Sequence, residues 1–272
     1  YLDRYDPDQL PPPLYRTADL ETQAALDAVD FQNQARDPES FQARSIKAAY
    51  YAMIELIDHN VGRMLDALEA SGQRDNTLVI FMSDHGETLG DHGLLLKGCR
   101  FYESLVHVPL VISRPGCFAC DARRDALVEL TDIVPTLLEA AGLPVPGHVQ
   151  GRSLIPYLTG RSHPNPRDVV RSEYYHALKP RNVSPDDDQF VEVKSSGSRG
   201  ARILSGSDAT MLFDGRYKLA VYHGHDIGEL YDLESDPGEF HNLWDDPTHA
   251  EIRFRLLKRS FDELALALDK ST

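Results

Sequence analysis

Metal-binding side chains follow directly after an apolar stretch in the first half of the chain. Residues 77–82 read Thr-Leu-Val-Ile-Phe-Met, and Ser-Asp-His-Gly-Glu comes next. An apolar, β-branched run predicts a strand covered on both faces, so Asp84 and His85 lie where the backbone leaves the sheet. A carboxylate oxygen and a neutral imidazole can share one divalent cation, although two ligands alone bind it weakly. The pair indicates either part of a metal site or an ordinary turn.

Further along the chain, one lysine stands in a loop bounded by glycines. Lys97 lies between Gly93 and Gly98, in a segment predicted to return to the same strand ends. An ammonium there could neutralise an oxyanion at the cation, which makes Lys97 a candidate catalytic and substrate-binding residue. The alternative is a solvated surface lysine. His107 is a second candidate for binding substrate, but His92 and His107 also suit turn or core positions.

The elements around these residues predict a layered α/β fold. Apolar positions at steps of three and four predict a helix over residues 46–68, and a second buried strand covers residues 107–113. A further amphipathic helix spans residues 131–141. Loops at strand ends are where α/β folds carry their chemistry. We therefore expect residues 1–160 to form a layered α/β/α sheet domain.

The second part of the chain has a different composition. Prolines interrupt it, and residues 194–208 are rich in Ser and Gly, which predicts a flexible loop. Two short apolar runs flank Asp214-Gly215, the signal for a tight hairpin. Asp246-Pro247 supplies a cap and a first-turn proline for a last helix. Residues 161–272 are thus expected to form a small α+β subdomain with an antiparallel sheet and a helix.

Charge and composition narrow the classes of function. The 272 residues include 28 basic and 43 acidic side chains, for a net charge of −15. Such a field repels phosphate backbones and argues against nucleic-acid binding, so an anionic substrate needs a local positive site. No apolar run approaches the roughly 20 residues that span a bilayer, so no membrane partner is expected. The three cysteines favour a reducing compartment such as the cytoplasm, with a periplasmic location left open.

Four blocks of sequence together resemble the sulfatase family of the alkaline phosphatase superfamily. The first two are SDHGETLGDHGLLLKG at residues 83–98 and FYESLVHVPLVISRPG at residues 101–116. Residues 127–160 resemble the helix and loop that follow in sulfatases, and residues 214–247 resemble their closing hairpin segment. The blocks keep the family's order. The chain is therefore similar to the carboxy-terminal portion of an arylsulfatase or a phosphonate monoester hydrolase.

The resemblance implies a cofactor and roles for the candidate residues. One divalent cation, Ca²⁺ first and Mg²⁺ or Mn²⁺ as alternatives, would be bound partly by Asp84 and His85, while Lys97 would hold the sulfate oxygens. His85 stands where many relatives carry Asn. An imidazole suits transition metals better than it suits calcium. That variant is also familiar from phosphonate monoester hydrolases.

The family's nucleophile is a formylglycine made from Cys or Ser in a C-x-P/A-x-R motif. Cys120-Asp121-Ala122-Arg123-Arg124 fits that short pattern literally. It follows the second strand, however, and lacks the Thr-Gly that accompanies the family motif. Cys120 is therefore not expected to be the nucleophile, and Cys117 and Cys120 are expected to be buried or unreactive thiols. The formylglycine is expected in a missing upstream segment.

The leading hypothesis is a metal-dependent hydrolase of small sulfuric esters, completed by the missing amino-terminal half. A phosphonate monoester or phosphodiester hydrolase on the same scaffold is the nearest alternative, because both substrates are tetrahedral oxyanions. A non-catalytic fragment that binds a metal or a partner is an alternative of another class. Self-association into a homo-oligomer is kept as an open alternative, and we expect the leaving-group pocket in residues 176–208.

Overall fold

The computed structural model describes residues 1–26, 29, 34–175 and 208–267. Its helices are α1 Asp19–Ala25, α2 Ala43–Ala70, α3 Glu103–Val106, α4 Ile133–Ala140, α5 Ile155–Leu158 and α6 Ala250–Ala267. Its strands are β1 Val79–Met82, β2 Leu110–Ser113, β3 Val170–Tyr174, β4 Ala209–Phe213, β5 Tyr217–Tyr222 and β6 Gly228–Asp232. Short 3-10 helices cover Leu2–Arg4, Pro7–Gln9, Pro38–Phe41, Arg74–Asn76, Asp91–Gly93, Leu130–Asp132 and Pro247–His249. Within these ranges no helix is both long and apolar enough to cross a bilayer.

Helix α2 confirms the predicted amphipathic helix but buries its other face. Its buried side chains are small or polar, and Lys47 Nζ donates to the carbonyl of Pro11 at 3.2 Å. The apolar stripe is exposed instead, with Ile57 at 51% and Met64 at 64%. An apolar helix face in a soluble protein normally packs against a core. The described part of the chain therefore leaves this stripe uncovered.

Strands β1 and β2 form a two-stranded antiparallel ribbon rather than the centre of a covered sheet. Val79 pairs with Ser113 and Met82 with Leu110. The expectation that both strands are covered on both faces is wrong for this chain, because Phe81, Met82 and Val111 are exposed. β-branched residues favour extended backbone wherever they lie, whereas coverage depends on neighbouring elements. The α/β class itself is confirmed.

The carboxy-terminal sheet matches the prediction closely. Strands β3, β4, β5 and β6 pair in that order, all antiparallel. The β4–β5 turn needs Asp214, whose Oδ1 accepts the N–H of Tyr217 at 2.7 Å, and Gly215, whose φ is +94°. Leu212 and Leu219 pack with Leu256 of α6 in one core. The last turn of the predicted helix and residues 176–207 lie outside the described residues.

The four-stranded sheet shares a second core with the first half of the chain. Cys99 and Phe101, which follow the Lys97 loop, pack with Met211 of β4 and with Ala220 and Tyr222 of β5. The domain boundary near residue 160 stays a prediction. This core nevertheless ties the segment that carries the candidate site to the carboxy-terminal sheet.

Candidate active site

The turn after β1 is built so that Asp84 and His85 leave the ribbon side by side. Asp84 Oδ1 accepts the backbone N–H of His85 at 3.0 Å, and Ser83 Oγ donates to the carbonyl of His85 at 2.7 Å. The next residue must be glycine, because a Cβ on Gly86 would lie 1.9 Å from the carbonyl oxygen of Ser104. The Gly86 N–H donates to Leu105 of α3 at 2.8 Å. The turn is therefore anchored on both sides of the candidate ligands.

Hydrogen bonds select one ring form of His85. Its Nδ1 lies 2.8 Å from the carbonyl of Gly86, which can only accept, so Nδ1 carries a proton. Its Nε2 lies 2.9 Å from Lys97 Nζ, and an ammonium can only donate, so Nε2 presents its lone pair. A lone pair on one nitrogen with the other held by a carbonyl is the metal-binding state of histidine.

Asp84 is an ionised partner next to that lone pair. The backbone N–H of His85, which donates to this carboxyl, and the positive charge of Lys97 hold its pKa below the usual range. Asp84 Oδ2 lies 3.7 Å from His85 Nε2. Metal–ligand bonds are about 2.0–2.6 Å long, so atoms at this separation can both reach one cation. The residues fit a divalent cation, as two ligands of an incomplete set: the described ranges contain no cluster of three or more metal-type side chains.

The loop between Thr88 and Gly98 brings Lys97 back to the end of β1. Thr88 Oγ1 donates to the carbonyl of Leu96 at 2.8 Å, which closes the loop just before Lys97. Gly93 has a φ of +74°, and a Cβ there would lie 2.6 Å from the carbonyl oxygen of Arg36. His92 is buried and stacks on Tyr102 with the ring centroids 4.1 Å apart. His92 therefore belongs to the core, and Lys97 is the residue of this loop that reaches the candidate ligands.

A cleft of about 2070 Å³ contains all four candidate residues. His107 lies on its wall and contacts Glu103 rather than the other candidates, with Nδ1 2.9 Å from Glu103 Oε2. The structure thus brings Asp84, His85 and Lys97 into contact with one another, whereas His107 lines the same cleft and contacts Glu103. The other basic side chains that line the cleft are Arg100, Arg123, Arg124, Arg152, Arg167 and Arg171. Carboxylates line the cleft as well, among them Glu129 and Glu173, which pair with Arg167 and Arg171, so its charge is mixed and Lys97 supplies the positive charge beside the candidate ligands.

The cysteines are placed differently from the expectation. Cys117 and Cys120 are both exposed, so of the two expected forms the buried one is wrong, the unreactive one stays a prediction, and Cys99 is the buried thiol. They follow the tight turn at Pro115-Gly116, where the chain has left the core. Cys120 lies outside the lining of the cleft that holds Asp84 and Lys97.

Glu103, which contacts His107, and Lys218, which contacts Glu103, were not identified from the sequence. Glu103 holds His107 from one helical turn away, and that spacing was readable in the sequence as an i, i+4 pair. Lys218 of β5 contacts the other oxygen of Glu103 at 2.7 Å. No local pattern pairs side chains so far apart along the chain, so Lys218 could be found only from the structure.

Two family models match the chain. The Sulfatase model matches residues 11–143, and the model for the carboxy-terminal region of N-sulphoglucosamine sulphohydrolase matches residues 208–265. The chain is 31% identical over 254 residues to an arylsulfatase of Clostridium perfringens, covering 89% of this chain and 45% of that protein. It is 29% identical over 245 residues to an N-acetylglucosamine-6-O-sulfatase of Bacteroides thetaiotaomicron, covering 90% of this chain and 38% of that protein.

A solved structure extends the likeness to nearly the whole chain. The phosphonate monoester hydrolase of Agrobacterium radiobacter superposes with a TM-score of 0.80 at 28% identity, covering 99% of this chain and 54% of that one. The chain thus spans about half the length, or less, of the relatives it matches. Both family models, the relatives and the structural neighbour agree: the chain belongs to the sulfatase family of the alkaline phosphatase superfamily.

Proposed function

We propose that this chain is part of a metal-dependent hydrolase of sulfuric esters. The observation that carries the proposal is the contact group of Asp84, His85 and Lys97, in which a carboxylate, an imidazole lone pair and an ammonium converge on one side of the cleft. Two cation ligands beside a positive side chain suit a substrate whose reacting group is a tetrahedral oxyanion. Membership of the sulfatase family supports sulfate as that group.

Two of the candidate residues would bind the cation, and the other two would bind the ester. Asp84 and His85 would hold the cation, for which Ca²⁺ is proposed first and Mg²⁺ or Mn²⁺ next, because the imidazole tolerates transition metals. Such an ion supplies Lewis-acid stabilisation of the charge that develops on the transferred group. Lys97 turns from His85 Nε2 to the ester oxygens, which leaves the lone pair to the ion. His107 binds substrate from the cleft wall.

The proposed complete enzyme also needs an upstream half, which supplies the formylglycine nucleophile and the remaining ligands. The relatives support this proposal, because the chain covers 38% and 45% of the first two. The exposed stripe of α2 and the exposed faces of the β1–β2 ribbon offer an apolar surface for that half. Contiguous exposed apolar surface of this kind marks an interaction site.

The chemical state of Cys120 tests whether the nucleophile lies in this chain. We expect mass spectrometry of the active complete protein to find Cys120 as an unmodified thiol, because its exposed turn lies outside the cleft lining. Replacement of a thiol by an aldehyde makes the residue about 18 Da lighter, so peptide masses distinguish the two forms. A Cys120→Ala variant is expected to keep full activity. Formylglycine at Cys120 would overturn this assignment and give this chain its own nucleophile.

A phosphonate monoester hydrolase is the second candidate function. The specific support is the Agrobacterium structure, which covers 99% of this chain with a TM-score of 0.80. The imidazole ligand His85 fits this candidate as well. Steady-state assays of the complete protein with an aryl sulfate and an aryl phosphonate monoester decide between them by the ratio of the two kcat/KM values.

Lys97→Met tests the proposed function most directly. Methionine keeps an unbranched side chain but cannot donate to an oxyanion, so we expect kcat/KM for the preferred ester to fall by about 10²-fold or more. The cation content should stay unchanged, since Lys97 is not proposed as a ligand. Lys258→Met is the matched control, because Lys258 lies on α6 and pairs with Asp262. Equal rates in the two variants would reduce Lys97 to a surface lysine.

A further inference from the structure

A buried ion pair lies behind His107 and connects it to the carboxy-terminal sheet. Lys218 of β5 is 2% exposed, and its Nζ lies 2.7 Å from Glu103 Oε1 and 2.7 Å from Glu239 Oε1. The ammonium also donates to the carbonyl of Phe101 at 3.0 Å. A buried cation has lost its hydration, so these oxygens must supply its counter-charge and its hydrogen bonds. The arrangement leaves Lys218 little freedom to move.

Glu103 is the firmly ionised partner in this group. Burial alone raises the pKa of its carboxyl, but Lys218 and His107 outweigh burial and place that pKa below the usual range. Glu239 behaves differently, because burial outweighs the attraction of Lys218 and raises its pKa to about 7. Glu239 Oε2 accepts the backbone N–H of Glu103 at 2.6 Å, which fixes the start of α3. Two residues of the carboxy-terminal part thus hold both the backbone and the side chain of Glu103.

The second oxygen of Glu103 determines how His107 is presented. His107 Nδ1 lies 2.9 Å from Glu103 Oε2, and an ionised carboxylate can only accept, so Nδ1 carries the proton. Nε2 has no protein partner in the described part of the chain, and the side chain is 78% exposed on the cleft wall. A ligand in the cleft can therefore reach Nε2, as a lone pair on the neutral ring or as an N–H on the charged ring.

We propose that Glu103 is a positioning residue for His107, that Lys218 fixes Glu103 in that role, and that His107 consequently offers Nε2 to the ester bound in the cleft. The inference rests on the proposed function and deepens it. When the bond between sulfur and the leaving oxygen breaks, the electron pair stays on that oxygen, which takes up one proton. The charged ring carries a proton on each nitrogen; it can deliver the one on Nε2 and become neutral, with the remaining proton on Nδ1 held by the carboxylate.

Glu103→Gln provides a test that does not depend on activity. Lys218 contacts Oε1 of Glu103 and His107 contacts Oε2, and an amide has an acceptor oxygen at only one of these two positions. The ammonium of Lys218 is buried and has no water to replace a lost acceptor, so we expect the amide oxygen to face Lys218. The amide NH₂ then faces His107 and donates to Nδ1. Nitrogen-15 NMR of the histidine rings, in buffer above the ordinary range of histidine titration, reads the tautomer directly. We expect the proton of His107 on Nδ1 in the unchanged chain and on Nε2 in Glu103→Gln.

The controls make the result specific. His107→Gln assigns the resonance, and Asp125→Asn is the matched control, because Asp125 also lines the cleft but pairs with Arg123. Asp125→Asn should leave the tautomer unchanged. A proton on Nε2 in the unchanged chain, or no change in Glu103→Gln, would overturn the proposal without any variant having to be active. In the complete protein, Glu103→Gln should lower kcat by about 10-fold or more with unchanged cation content; an unchanged kcat also overturns it.

Discussion

Replacing Asp84 and His85 together by alanine is expected to abolish metal-dependent ester hydrolysis by the complete protein that contains this chain. The two residues supply the ionised oxygen and the imidazole lone pair that lie 3.7 Å apart at the end of β1. Lewis-acid stabilisation by a bound cation amounts to several kcal/mol, so its loss should lower kcat/KM by about 10³-fold or more. Elemental analysis of the purified variant should show the cation lost together with the activity.

A matched double variant separates ligand loss from a general change in the cleft. Asp125→Ala with His148→Ala removes the same two side-chain types from the lining of the same cleft. That variant should keep its cation and most of its turnover, because neither residue belongs to the Asp84, His85 and Lys97 contact group. Unchanged activity and metal content in the Asp84, His85 double variant would show that the cation ligands lie elsewhere.

Local sequence signals predicted the parts of this molecule that depend on nearby residues. The β4–β5 hairpin follows from Asp214-Gly215, where the carboxylate caps the turn and glycine adopts a positive φ. The position of Asp84 and His85 follows from the apolar run that ends at Met82. Both are decided within a few residues, by backbone sterics and by hydrogen bonds to the nearest N–H groups.

The burial of apolar faces and the pairing of residues distant in sequence could not be predicted from local sequence signals. The periodicity of α2 predicts an apolar stripe, but only other elements decide whether that stripe is buried, and Met64 remains exposed here. The contact of Lys218 with Glu103 joins β5 to α3, and neither residue has a neighbour in sequence that indicates the pairing. A buried charged residue can be identified only from the partners that neutralise it, and tertiary structure determines which residues those are.

Residues 1–272 on their own are expected to hydrolyse neither aryl sulfates nor phosphonate monoesters. The described residues bring together two proposed cation ligands and one lysine, and Cys120 is not expected to serve as a nucleophile. Catalytic groups act as a unit, so removing the nucleophile costs nearly the whole acceleration even where oxyanion contacts remain. Turnover assays with both esters, in buffer containing Ca²⁺, Mg²⁺ or Mn²⁺, check this expectation.

The same polypeptide should also associate with itself. The stripe of α2 and the faces of the β1–β2 ribbon expose apolar side chains such as Ile57, Met64 and Val111. An exposed ribbon edge adds unpaired backbone donors and acceptors. We expect light scattering to report species larger than a monomer, and Ile57→Glu with Met64→Glu to reduce them. Ser71→Glu with Gln73→Glu adds the same charge at exposed polar positions just after α2; it is the matched control and should not.

Adding the proposed upstream half as a separate polypeptide distinguishes an incomplete enzyme from a binding module. If that half covers the α2 stripe, it should compete with self-association of the unchanged chain and restore its turnover in part. It should not restore turnover with the Ile57→Glu, Met64→Glu variant. The charge introduced on the stripe would have to be desolvated at the interface, which is costly without a partner of opposite charge. A monodisperse, metal-containing and active preparation of residues 1–272 alone would contradict both the missing nucleophile and the uncovered surface, and would return attention to Cys120 and His107.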